Sequence, residues 1–184
     1  MEVNTFVQGK TTILKTFSVK GYKSWTGREG VGAQATLYKN GKKIGLVTDE
    51  GNGGGVSLIG STSDNWKMVK DFLGTLPKYQ YPDMWLEQFG ETWDGSGAIL
   101  KSDLISWTLD EFADVMLNRA EENHQLRNAC KKNILVRFDG ENTFKVFDSE
   151  WPKNKVEQKA IMDQIKKQVQ PQTIAEFVNN RFSR

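Results

Sequence analysis

Apolar and polar positions alternate along the first third of the chain, and the alternation predicts a sheet. From Thr11 to Tyr22, Ile13, Phe17 and Val19 (with Lys15 between them) interleave with Thr12, Leu14, Thr16, Ser18 and Lys20, which suits a half-buried strand over about 11–22. Two β-type runs, 33–39 and 43–48, flank Asn40-Gly41. That dipeptide tolerates the positive φ of a type I′ turn and marks a hairpin. A short strand over 56–59 follows, and such closely spaced strands pair antiparallel.

The period then changes from two to about three and a half. Ser63-Asp64-Asn65 can cap a helix from Trp66 to about Leu73 that buries Trp66, Val69, Phe72 and Leu73 and ends at Gly74 and Pro77. Thr108-Leu-Asp-Glu111 is a capping box opening a long helix to about Ala129, with Leu109, Phe112, Ala113, Met116, Leu117 and Ala120 as its apolar stripe. A second hairpin is expected over 133–147, with Ile134, Val136, Phe138, Phe144 and Val146 on one buried face. Helices over about 155–169 and 173–182 follow, separated by Pro171. The expectation is one α+β domain, 1–184, with a β-rich part (1–60), a helical part (61–130) and a hairpin with helices (131–184).

Between the two central helices, Tyr81, Trp85, Phe89 and Trp93 recur every fourth residue, and Asp83, Glu87 and Glu91 do so two residues out of phase. Two residues span about 200° on a helix, so aromatics would line one face and carboxylates the other. This acidic ridge, with Asp94 beside it, is a candidate surface for a basic groove on a partner; a solvated face is the plainer alternative.

The net charge of +2 conceals a basic–acidic–basic layout: +4 over 1–60, −6 over 61–115 and +4 over 116–184. Two lysine groups are candidate nucleic-acid contacts: Lys39, Lys42 and Lys43 on the first hairpin, and Lys155, Lys159 and Lys166 on a late helix, where Asp163 interrupts the field.

Little points to catalysis. One histidine and one cysteine, His124 and Cys130, supply neither a two-histidine metal site nor a multi-cysteine one. The glycine loop Asp49 to Gly55 lacks the Lys-Ser/Thr of a P-loop and leads into a strand, so conformational freedom explains its glycines. No Gly-x-Ser-x-Gly elbow occurs. The chain is therefore read as a non-enzyme without metal or cofactor; a metal-dependent enzyme assembled from the ten acids of 61–115 is the remote alternative. The single cysteine suggests a reducing compartment, and no apolar run approaches a membrane span, so a cytoplasmic location without membrane contact is expected.

From Leu37 to Gly55 the chain reads Leu-Tyr-Lys-Asn-Gly-Lys-Lys-Ile-Gly-Leu-Val-Thr-Asp-Glu-Gly-Asn-Gly-Gly-Gly. This resembles small bacteriophage and mobile-element proteins in which a Tyr-x-x-Gly-Lys hairpin runs into Asp-Asp/Glu-Gly-x-Gly-Gly. The later hairpin followed by a helix is similar to the same group. No catalytic residue carries over. The resemblance implies a viral setting, in host cytoplasm, of the kind occupied by anti-CRISPR and other anti-defence proteins, which bind a defence factor's nucleic-acid groove or its nucleic acid. The leading expectation is inhibition of a host defence protein, such as a CRISPR-Cas component, by protein–protein contact through Asp83, Glu87, Glu91 and Asp94. Nucleic-acid binding through the lysine groups is the alternative.

Overall fold

The computed structural model describes residues 5–79, 104–141 and 143–182, which divide into two units, Met1–Ala120 and Glu121–Arg184. Among the described residues the first unit opens with a helix, α1 (Thr5–Thr16), and only then enters strand β1 (Phe17–Thr26). The strand expected over 11–22 is thus helical as far as Thr16. Ile13 and Phe17 lie four apart and fit either period. Phe6, Gly9 and Ile13, at helical spacing, decide for helix by giving α1 one face toward the core. The Thr12 and Thr16 hydroxyls donate to the carbonyls one turn back, so these β-branched residues sit in the helix with their polar atoms satisfied.

Strands β2 (Val31–Lys39), β3 (Lys42–Asp49) and β4 (Ser57–Ile59) complete an antiparallel four-stranded sheet in sequence order. Asn40 and Gly41 both take positive φ, 50° and 76°, as the expected tight turn requires. Helix α2 (Ser63–Gly74) is capped by Thr62, just before the expected Ser63-Asp64-Asn65, with its hydroxyl accepting from Asn65 N at 3.3 Å. Helix α3 (Leu109–Ala129) opens on the expected capping box: Thr108 Oγ1 accepts from Glu111 N, and Glu111 Oε2 accepts from Thr108 N at 2.8 Å.

One face of the sheet meets these helices. Val19, Leu37, Val47 and Leu58 from the strands pack with Ile13, Val69, Leu73, Phe112 and Met116 from the helices. Phe17 sits between Phe72 and Phe112 in edge-on contacts of 5.1 and 5.0 Å between centroids. Phe6, Tyr79 and Trp107 form a second aromatic group. Gly9 lies directly beneath Trp107, where a Cβ would come within 2.5 Å of the indole.

The second unit has its own core. Strands β5 (Ile134–Phe138) and β6 (Phe144–Phe147) form the expected hairpin, followed by α4 (Lys155–Gln168). Two expectations fail here. Ile134 pairs with Phe147 and Val136 with Lys145, so Phe147, not Phe144 and Val146, joins Ile134, Val136 and Phe138 in the core; Val146 is exposed. A one-residue change of register exchanges the faces of a strand. The expected helix over 173–182 is instead strand β7 (Ile174–Phe177) and a 3₁₀ turn (Val178–Arg181). Pairing of β7 with β5, Val136 opposite Phe177, overrides the local helical pattern. Leu135 is buried on the other face of β5, with Cys130 and Val178.

Candidate nucleic-acid interface

The outer face of the first sheet is assembled by two bulges. Val19 faces the core and Lys20 faces away; simple alternation would then turn Lys23 and Trp25 inward. One extra residue between Lys20 and Lys23, with Gly21 at φ 72°, reverses the phase. Lys23 therefore pairs with Gln34 and Trp25 with Gly32, on the same side as Lys20 opposite Thr36. The second bulge lies in β3. Leu37 pairs with Gly45 but Tyr38 with Lys43, so the extra residue, Ile44, keeps to the core and sends Lys43 outward.

Lys20, Lys23, Trp25, Tyr38 and Lys43 thereby share one face, together with Gln34, Thr36, Leu46 and Ile59. No Asp or Glu occupies a paired position on this side. The Lys20 ammonium stands 5.3 Å from the Tyr38 ring centre. Trp25, 40% exposed, lies across Gly32, where a Cβ would meet the indole at 2.3 Å.

The end of this sheet is fixed by close backbone contact. Glu29 N donates to Gly51 O at 2.8 Å, and a Cβ on Gly27 would sit 2.5 Å from that oxygen. Asp49 Oδ1 accepts from Gly51 N at 2.8 Å, closing the turn. Close approach and positive φ account for Gly51 and Gly53, two of the loop's four glycines.

The lysines singled out in the sequence are dispersed. Lys43 joins the outer face, while Lys39 and its pairing partner Lys42 belong to the opposite one. Lys39 holds its ammonium over Phe17 and Phe72, at 5.4 and 6.0 Å, and lines a shallow hollow of about 490 Å³ with Asp64, Lys67 and Asp71. Lys155, Lys159 and Lys166 belong to the second unit, exposed on α4, where Lys166 pairs with Asp163 at 3.7 Å. Asp83, Glu87, Glu91 and Asp94 lie outside the described residues. Lys20, Lys23 and Tyr38 carry no signal in the sequence, because their common face depends on bulges that leave only a glycine as trace.

The titratable groups elsewhere have structural surroundings. Burial pushes the Glu111 carboxyl up against the hydrogen bond from Thr108; the Tyr79 hydroxyl also donates to it. Burial likewise raises Asp114, opposed by the Asn118 amide and Lys10 and reinforced by Asp49. The buried Cys130 thiol is pushed up by desolvation, which disfavours the thiolate. His124 is exposed and shares a 2.9 Å hydrogen bond with Asn128. Among the described residues, no three His, Cys, Asp or Glu gather as metal ligands, and no helix is long and apolar enough to cross a membrane. No protein-family model, curated protein or solved structure matches the chain.

Proposed function

We propose that the first unit binds single-stranded nucleic acid across its outer sheet face. The observation that carries this reading is the double bulge, which brings three lysines and two aromatics to one side with no acid among the paired positions there. Lysines attract phosphates as point charges, and exposed aromatics offer stacking platforms that every base can use. Gln34 and Thr36 add hydrogen-bonding groups between them. In the viral setting that the hairpin resemblance implies, such a protein would withhold nucleic acid from a host defence factor.

Fluorescence anisotropy with a labelled oligothymidylate tests the reading. Affinity falls with salt at a slope of about −2, the value for three lysine–phosphate contacts on a single strand. Lys20→Glu/Lys23→Glu/Lys43→Glu abolishes binding, and Trp25→Ala weakens it by about 1–3 kcal/mol per stacked base, with thermal midpoints recorded to verify folding. A flat titration of the native protein at low salt would overturn the proposal.

The rival mode, contact of Asp83, Glu87, Glu91 and Asp94 with a host protein, rests on residues outside those described. Capture from host lysate before and after nuclease treatment separates the two: a protein partner that survives nuclease supports the rival.

A further inference from the structure

The second unit contains a cleft of about 630 Å³ whose chemistry differs from that of the sheet face. Its walls carry three cations, Arg127, Lys131 and Lys153, and two aromatic side chains, Trp151 and Phe182, with no carboxylate among the lining residues. The volume lies within the range of small-ligand sites, roughly 300–1,000 Å³.

Several contacts give the cleft fixed walls. The Arg127 guanidinium sits 5.4 Å from the centre of the Phe182 ring, a cation–π contact that leaves its charge available. Lys131 Nζ donates to Asn128 Oδ1 at 2.9 Å. Gln158 Nε2 donates to Pro152 O at 2.7 Å and so ties α4 to the segment bearing Trp151 and Lys153. The Asn179 amide donates to Cys130 O and Asn133 O, which anchors another lining residue to the end of α3.

We propose that this cleft is a site for a nucleoside monophosphate, with the phosphate held by Arg127, Lys131 and Lys153 and the base lying against Trp151. The positive wall without acid selects an anion, and the planar guanidinium fork of Arg127 suits the bidentate geometry of a phosphate. The aromatic side selects a ligand that also carries a planar ring. This site is independent of the sheet face, since none of its residues belongs to the first unit.

Isothermal titration calorimetry on the whole protein at low salt decides the matter, with AMP, adenosine and inorganic phosphate as probes. AMP binds one to one, and adenosine and phosphate each bind about tenfold more weakly or worse. Lys131→Glu/Lys153→Glu, both exposed positions, lowers AMP affinity by about tenfold or more and leaves oligothymidylate binding unchanged. Absence of AMP binding at millimolar concentration overturns the proposal. So does phosphate binding as tight as that of AMP, or AMP binding indifferent to the double variant. Loss of oligothymidylate binding in Lys20→Glu/Lys23→Glu/Lys43→Glu, with AMP binding retained, keeps the two sites distinguishable.

Discussion

Asn179 ties three backbone groups together in a place where little else can. Its Oδ1 accepts from Leu135 N at 2.9 Å, while its amide donates to Asn133 O at 2.8 Å and Cys130 O at 3.2 Å. The residue is 2% exposed, so water cannot replace it. Asn179→Ala should cost about 2–3 kcal/mol in urea denaturation, the order expected when buried partners lose their hydrogen bonds. Nothing in the sequence marks this asparagine, because its partners lie some forty-five residues away in the chain and only the fold makes them neighbours. Gly9 is hidden for the same reason: its missing side chain answers to Trp107, not to any local turn. Asn40 and Gly41, whose requirement is local, are legible at sight.

At the scale of elements, local signals were readable and non-local ones were not. The Asn-Gly hairpin and the capping box of α3 are specified within a few residues, and both form as expected. Strand β7 exists because β5 offers it a partner, a fact that periodicity over 173–182 cannot contain. The candidate face follows the same rule: Lys43 is legible as a hairpin lysine, but its separation from Lys39 and Lys42 follows from a register irregularity. The pairing of β7 with β5 has a pH signature. Glu176 faces Arg137 at 3.5 Å and also accepts from Arg181. The Arg181 hydrogen bond, aided by Arg137, holds the Glu176 carboxyl below its ordinary value of 4.5. Because the folded value is lowered, its contribution is present above the unfolded value and disappears as pH falls through the folded one. Glu176→Gln should flatten the loss of stability below about pH 4.5; thermal midpoints of both forms between pH 7 and pH 3 provide the check.

Among the described residues, one hydrophobic cluster unites the four-stranded sheet with α1, α2 and the start of α3, and two more lie on the two faces of β5. Each unit presents basic and aromatic groups, on a sheet face in the first and around a cleft in the second. Strand β1, ten residues long, is also the outermost strand of its sheet, paired only with β2 among the described strands. A long border strand is a template for further strands, including those of other copies of the same chain. The bulge beyond Lys20 interrupts that template, and Lys20 and Lys23 repel an identical strand laid alongside it. The lysines proposed for nucleic acid therefore have a second expected effect, opposition to self-association. Lys20→Ser/Lys23→Ser should aggregate over days in light scattering where Lys20→Glu/Lys23→Glu stays monodisperse. On this expectation, a ligand that neutralises Lys20 and Lys23 would also remove the charge that opposes polymerisation.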